Sequence, residues 1–379
     1  MMKQGAIEAG YINFGYFSPE TSSNDEYPCY IKENVSESIK KIQSYQNEQS
    51  VTFAFMTDIH YSKTTVHDLR MKRLINAYKD IKNNIGTDML ILGGDYANNG
   101  NKEYNRNNYI GLKEHLSGLK YFPVNGNHDD NSMWDEYIDN EKAVNHHTTQ
   151  EMNNLFYNHL SELGAKKDCE NSLYYYYDDN DLNVRYIFLD TNDIPEIYTE
   201  TGVLKYTKQH TFAVSQVQTD WLINSALKTP DYMDIVIIAH IPPYPSSAKE
   251  LSKDGCTDPK YLEVKNLVFL NDILEAYNKK TSVSGKYCEG VFEVSVNADF
   301  SSYTGNIIGV FGGHQHEDIV ETSDSGIPYV YTDCAAMYKY STPRIDGDKS
   351  ELLFDVVTID RKNKKIYTTR IGAGNDRII

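Results

Sequence analysis

The chain has 379 residues, 40% hydrophobic and 24% charged, which is enough apolar sequence for a full core of one large or two modest domains. Its 37 Lys and Arg against 54 Asp and Glu give a formal charge of −17, which disfavours a docking face for nucleic acid or for an anionic membrane. The longest apolar runs are strand-length, well short of the roughly 20 residues that a membrane-spanning helix needs. Met1 to Ala6 carries one lysine but no apolar stretch of signal-peptide length, so a cytoplasmic setting is the expectation, and an extracellular one if a leader has been lost. The five cysteines, Cys29, Cys169, Cys256, Cys288 and Cys334, are dispersed and include no Cys-x-x-Cys pair. They are read as reduced thiols, with neither a disulfide framework nor a thiolate zinc site.

Residues 1–50 are polar, with one weak helical signal at Ser36 to Tyr45 that puts Ile39 and Ile42 on one face; they read as an extension packed on the core. A repeated pattern then begins, in which a short apolar run stops abruptly at residues able to bind metal. Val51 to Met56 is followed by Thr57-Asp58-Ile59-His60, Met89 to Leu92 by Gly93-Gly94-Asp95, and Tyr121 to Val124 by Asn125-Gly126-Asn127-His128-Asp129. Later, Ile235 to Ala239 precedes His240, and Ile307 to Phe311 precedes Gly312-Gly313-His314-Gln315-His316. Five strands are therefore expected to end in polar ligands.

Between the first two runs, Met71, Leu74, Ile75, Tyr78 and Ile81 recur at spacings of three and four and predict an amphipathic helix over His67 to Asn83. Met152, Leu155, Phe156 and Leu160 predict another over Gln150 to Leu163, behind the capping candidates Thr148 and Thr149. Ser172 to Tyr177 with Asn183 to Asp190 reads as a β-hairpin, and so does Phe354 to Ile359 with Lys365 to Ile371. The tyrosine run Tyr174 to Tyr177 fits a two-faced strand, and the pair His146-His147 a solvated cap before a helix. Alternating strands and helices beside antiparallel hairpins predict an α/β fold with two packed mixed β-sheets flanked by helices. Residues 51–379 are expected to form one catalytic domain. An insertion at about 242–302 is the least regular stretch, with one helical patch at Val264 to Tyr277; it could be a lid or plain surface.

Together the strand ends offer two aspartates, one asparagine and four histidines, with no cysteine. Oxygen and imidazole donors without thiolate suit Mn, Fe, Zn or Mg, and two hard cations can share a carboxylate. In such a pair, with ions about 3.5–4 Å apart, a metal-bridging hydroxide is the nucleophile and both ions clamp an in-line displacement at phosphorus. The ions would also let a chain of charge −17 receive a phosphate at this one point.

Asp58-Ile59-His60, Gly94-Asp95, Gly126-Asn127-His128-Asp129, His240 and Gly313-His314-Gln315-His316 resemble, in full and in order, the D-x-H, G-D, G-N-H-D/E, H and G-H-x-H series of calcineurin-like metallophosphoesterases. The resemblance covers about Val51 to Ile371. It implies the family's αββα sandwich and two divalent or mixed-valence metal ions. Asp58, His60, Asp95 and His316 would hold the first ion, with Asp95 bridging; Asn127, His240 and His314 would complete the second. His128 would face the substrate phosphate, stabilising the transition state or protonating the leaving oxygen, and Asp129 would orient its neighbours. Asn98 and Asn99 stand where protein Ser/Thr phosphatases carry an aspartate and a phosphate-gripping arginine, and Asn98 also replaces the metal-binding tyrosine of purple acid phosphatases, so both subfamilies are disfavoured. The expected activity is metal-dependent hydrolysis of phosphate esters, phosphodiesters preferred. A phosphomonoesterase acting on nucleotides or sugar phosphates, and a non-catalytic binding module on the same scaffold, remain as alternatives.

Overall fold

The computed structural model describes residues 25–138, 143–243, 263–336 and 342–379. The chain forms two compact units, each with one mixed sheet. One unit runs up to Pro123 and also takes in His316–Asp318 and Thr332–Ile379; the other comprises Val124–Gln315 and Ile319–Tyr331. All five expected ligand-bearing strands are present.

The first unit is built on a six-stranded sheet in the order Arg377–Ile378, Lys365–Gly372, Leu353–Asp360, Ser50–Met56, Leu90–Leu92, Tyr121–Pro123. The last three strands are parallel, and the C-terminal hairpin joins them antiparallel through Ser50–Met56. Six of the seven residues of Ser50–Met56 are buried, as expected of a strand covered on both faces. The helix Thr65–Ile85 connects the first two parallel strands. Thr64 caps its start by accepting from the His67 N–H, and Gly86 ends it at φ 74°. Its inward stripe includes all five positions expected from the periodicity, each side chain contributing about 1.5–3 kcal/mol by leaving water.

The N-terminal helix starts earlier than expected, at Cys29 after Pro28, and runs to Tyr45. Its buried face is Ile31, Val35, Ser38 and Ile42, with Ile39 only half-buried at the flank. Asn34 Oδ1 accepts from the Gly372 N–H, which ties this helix to the C-terminal strand. Beneath it, the Arg73 guanidinium donates to both carboxylate oxygens of Glu351 at 2.8 Å, with both side chains fully buried.

A second ionic cluster anchors the segment that carries His316. Arg370 donates to Asp355 at 2.8 Å and to Asp318 at 2.6 Å, Arg377 reaches the same two carboxylates, and Thr332 donates to Asp355 at 2.7 Å. Burial alone would raise the Asp355 carboxyl, but Arg370 and Arg377 outweigh it and hold it below the usual carboxylate range.

The second unit carries a seven-stranded sheet in the order Ile319–Thr322, Pro328–Tyr331, Ile307–Gly312, Asp234–Ala239, Val184–Leu189, Tyr175–Asp179, Lys166–Lys167. Its four central strands from Pro328–Tyr331 to Val184–Leu189 are parallel and its edges antiparallel. The tyrosine run is a two-faced strand: Tyr175 stacks on Phe188, whereas Tyr174 and Tyr176 pack on the Trp221 side.

Two helices depart from the regular pattern. The one expected over Gln150 to Leu163 is an α-turn at Thr149–Met152, a π-turn at Asn153–Tyr157 and a 3₁₀-turn at Asn158–Ser161. Its buried residues Met152, Phe156 and Leu160 are spaced by four, a period that drifts off one face of a 3.6-residue helix and that a wider turn restores. The helix at Gln216–Trp221 widens at Leu222–Ala226 for the same reason, with Gln218, Leu222 and Ala226 buried.

Of the expected insertion at about 242–302, residues 244–262, with Cys256, lie outside the described residues. The rest contains the helix Leu267–Lys279, where the helical patch was expected, and a hairpin that the sequence reading did not predict, Ser282–Tyr287 with Val294–Asp299. Cys29, Cys169, Cys288 and Cys334 are free. Among the described residues no helix is long and apolar enough to cross a membrane.

Two measurements test this account of the core. Glu351→Ala leaves the Arg73 charge buried without its partner and is expected to cost about 3–5 kcal/mol of unfolding free energy in urea titrations; the double replacement Arg73→Met with Glu351→Leu should recover most of that loss. The depressed Asp355 carboxyl contributes stability that is complete above the unfolded carboxylate value of about 3.9 and is lost as pH falls through the folded value. Asp355→Asn should therefore be less stable than the wild type at pH 7, with the gap between their urea midpoints narrowing below about pH 4.

Candidate metal centre

In the first unit, the parallel strands Ser50–Met56 and Leu90–Leu92 end side by side, and their backbone pairing continues into the ligand loops. Asp58 N–H donates to Gly94 C=O and His60 N–H to Asp95 C=O, both at 2.9 Å, and Tyr61 N–H donates to Tyr96 C=O at 2.8 Å. On the other side Ala335 and Ala336 donate to the carbonyls of Thr57 and Asp58. Gly93 is required by this closeness, since a Cβ there would meet the Thr57 and Phe55 side chains at 2.6–2.7 Å.

Held this way, Asp58, His60, Asp95 and His316 all adopt φ between 43° and 55°, the left-handed region that residues with a Cβ rarely occupy. Their side chains converge. Asp58, His60 and His316 each bring a ligand atom within 4.8 Å of the others. His316 Nε2 lies 3.1 Å from Asp58 Oδ1, and His60 Nε2 lies 3.8 Å from Asp95 Oδ2. Thr57 Oγ1 donates to Asp58 Oδ2 at 2.5 Å, leaving Oδ1 toward His316. Asp58, His60 and Asp95 are buried, and His316 is partly exposed.

In the second unit, Asp234–Ala239 and Ile307–Gly312 are neighbouring parallel strands, so His240 and His314 emerge at the same sheet edge. Gly312 is needed there, because a Cβ would meet Pro242 Cγ at 2.3 Å and the Ala239 carbonyl at 2.5 Å. Asn127 meets both histidines: its Oδ1 is 3.1 Å from His240 Nε2 and 2.9 Å from His314 Nδ1. His314, at φ 71°, also packs edge-on against Phe212. His128, next in sequence to Asn127, is half-buried. Asp129 Oδ2 accepts from the Gly126 N–H at 2.7 Å, a bond that closes the turn.

The sequence reading missed the polar network behind this turn. Asp130 Oδ1 accepts from the Ser132 N–H and hydroxyl, Asn131 Nδ2 donates to the Asn145 carbonyl, and Asp135 accepts from the backbone of Asn145 and His146. His147 N–H donates to the Asp130 carbonyl, so the pair His146-His147 staples a loop to the turn. The Asn127 Nδ2 amide faces the carbonyl of Gln209 at 3.4 Å and its Oε1 at 3.5 Å. Lys208, one residue earlier, is buried; burial works against its charge, but Asp190 and Asp130 outweigh this and hold its pKa above the ordinary lysine value. A lysine among polar loop residues gives no periodic signal, so only a three-dimensional arrangement exposes it.

Asn98 and Asn99 are both buried. The Asn98 carbonyl accepts from the side-chain amides of Asn105 and Asn108, and its N–H donates to the Tyr61 carbonyl. Asn98 thus closes the loop after Asp95 through its backbone.

Carboxylate and imidazole donors in the first unit, and an amide oxygen with two imidazoles in the second, form sets suited to divalent cations of intermediate hardness. Both sets are made of the residues picked out from the strand ends. The sequence matches the calcineurin-like phosphoesterase family model over residues 51–318. No curated protein matches the sequence. Among solved structures, the fold is similar to that of a dimetal phosphatase from Danio rerio, with a TM-score of 0.56 at 14% identity over 86% of this chain and 98% of that one. A conserved uncharacterized protein from Streptococcus pneumoniae, described as a predicted phosphoesterase, aligns over 87% of this chain and 97% of its own, at 10% identity and a TM-score of 0.29 that carries no weight. With the family model spanning more than half of its length, the chain belongs to the calcineurin-like phosphoesterases, dinuclear metal-dependent hydrolases of phosphate esters.

Proposed function

We propose that this protein hydrolyses phosphodiesters in preference to monoesters, with Asp58, His60, Asp95 and His316 holding one metal ion, Asn127, His240 and His314 the other, and Asp95 shared. The observation that carries this reading is the convergence of the donor atoms within each set. Mn and Fe are the proposed metals, with Zn or Mg compatible. When bound, such ions would generate a hydroxide nucleophile near neutral pH and neutralise charge on the phosphoryl oxygens.

The chain's own residues supply the rest. Asp58 is presented through Oδ1 because Thr57 occupies Oδ2. Asn127 presents its amide oxygen because Gln209 takes its N–H groups. His128, half-buried and next to Asn127 in sequence, would donate a proton from its ring to the leaving oxygen or hold a phosphoryl oxygen in the transition state. Asn98 and Asn99, which stand where protein Ser/Thr phosphatases carry an aspartate and a phosphate-gripping arginine, support the diester preference. A monoester is close to a dianion at neutral pH and a diester a monoanion, and uncharged amides provide no countercharge for the second negative charge.

Protein loaded with Mn²⁺ is expected to hydrolyse bis-p-nitrophenyl phosphate with a higher kcat/KM than p-nitrophenyl phosphate, and a chelator should abolish both. Asp95→Ala should fall to background at matched metal content; wild-type turnover by that variant would remove the mechanism. A preference for the monoester would replace the diester reading, and metal binding with no turnover of either ester would favour a binding module. His128→Ala should lose about 10²–10⁴-fold in kcat on a diester with an alkyl leaving group. It should lose much less on the p-nitrophenyl diester, whose leaving oxygen needs no proton. Equal losses on both would assign His128 to the phosphoryl oxygen instead.

A further inference from the structure

Lys208 is 4% exposed, and its ammonium lies 3.9 Å from Asp190 Oδ2, with Asp130 the next carboxylate in its field. Both aspartates are buried. Two neutral residues complete the surroundings of Asp190: Asn125 donates to its Oδ1 through Nδ2 at 3.1 Å, and Asn192 through its backbone N–H at 3.0 Å. Asn125 and Asn192 are fully buried, and each keeps an amide oxygen with no hydrogen-bond partner. Taking an ammonium out of water costs several kcal/mol, so a lysine persists there only against compensating oxygens.

The backbone around Lys208 connects this cluster to the second donor set. Lys208 N–H donates to Ser132 Oγ at 3.2 Å, and Ser132 in turn donates to Asp130. The Lys208 carbonyl accepts from Asn192 Nδ2 at 3.1 Å. Gln209, the next residue, presents the two acceptors that face Asn127 Nδ2. An amide has two orientations related by a flip. The Gln209 acceptors favour the one that aims Oδ1 at His240 and His314, because the other would set an oxygen against two oxygens.

We infer that Lys208 is a positioning residue for the second metal ion: its buried ammonium against Asp190, and its backbone tied through Ser132 to Asp130, fix Gln209 and thereby lock the Asn127 amide oxygen toward His240 and His314. The inference rests on the assignment of Asn127, His240 and His314 to that ion. Outer partners that orient a ligand are typically worth 10–100-fold in metal affinity. The effect is specific: the donors Asp58, His60, Asp95 and His316 gain nothing from Lys208, and the affinity of their ion stays as it is.

Calorimetric titration of Mn²⁺ into metal-free protein, with the bound metal counted by elemental analysis, tests this. Wild-type protein should take two ions; Lys208→Met should weaken one of them about 10–100-fold and leave the other unchanged. In turnover of the p-nitrophenyl diester at limiting Mn²⁺, the same variant should be restored toward the wild type by excess Mn²⁺, which a general loss of structure would not allow. Ser132→Ala keeps the charge cluster but cuts the bond to the Lys208 backbone, and should weaken the same ion to a smaller degree. That variant decides the matter if Lys208→Met does not fold. Two ions bound with wild-type affinities by a folded Lys208→Met, or by Ser132→Ala where it alone folds, would overturn the role of Lys208. A wild type that takes a single ion, or a His240→Ala variant that keeps both, would instead overturn the ligand assignment.

Discussion

Asp58 and His60 are two residues apart, a spacing that an extended strand holds on one face but about 6.6 Å apart, so bringing their donor atoms within 4.8 Å of one another calls for a backbone folded more tightly than a strand. Asp58, His60, Asp95, His314 and His316 fold in the left-handed region, each at a cost of about 1–3 kcal/mol. Strain of this size persists only where the surroundings over-determine the backbone. In the first unit the bonds from Asp58, His60 and Tyr61 to the loop after Leu90–Leu92 do so, with Ala335 and Ala336 on the opposite side. The glycines follow from the same requirement: Gly93 and Gly312 sit where two chain segments come too close for a side chain.

Buried cations help to hold carboxylates in fixed positions inside an acidic protein, and three of those found among the described residues span segments that are distant in sequence. Arg73 meets Glu351, Arg370 joins Asp318 to Asp355, and Lys208 lies against Asp190. At Glu351 a single guanidinium nitrogen, Arg73 Nη1, reaches both carboxylate oxygens while Nε donates to the Asp25 carbonyl, so one arginine ties two segments at once. The excess of acid over base in the whole chain thus coexists with local balance at Glu351, Asp355 and Asp190, each buried beside a cation.

The ligands could be read from the sequence because each follows its strand within a few residues, so an apolar run and its polar stop are visible together. The helix Thr65–Ile85 was equally plain, since its stripe keeps a regular 3.6-residue period. The π-turns were hidden because spacing by four passes for an ordinary helix over two turns. The Ser282–Tyr287 hairpin was obscured by its irregular neighbours, although Val294, Val296 and Ala298 alternate cleanly inward. Arg370, Lys208 and Gln209 were invisible for a different reason: their partners lie far off in the sequence, and a single polar residue, on a strand as at Arg370 or in a loop as at Lys208 and Gln209, carries no pattern of its own. What chemistry demands of the ligands was readable; what holds the ligands still was not.

The two donor sets differ in charge, and the difference explains where the supporting structure is concentrated. The first contains Asp58 and Asp95, whose negative charges attract a cation whatever its exact position. The second consists of a neutral amide and two imidazoles, so it depends on dipoles whose value falls quickly when they are turned away. An amide is the least forgiving of these, because a flip replaces an acceptor by a donor. Asn127 is accordingly embedded in a polar network that runs from the Asp129 turn through Asp130 and Ser132 to Lys208 and Gln209. On the proposed assignment the second ion would have Asp95 as its one carboxylate, shared with the first, so preorganisation of the amide would supply affinity that charge alone does not.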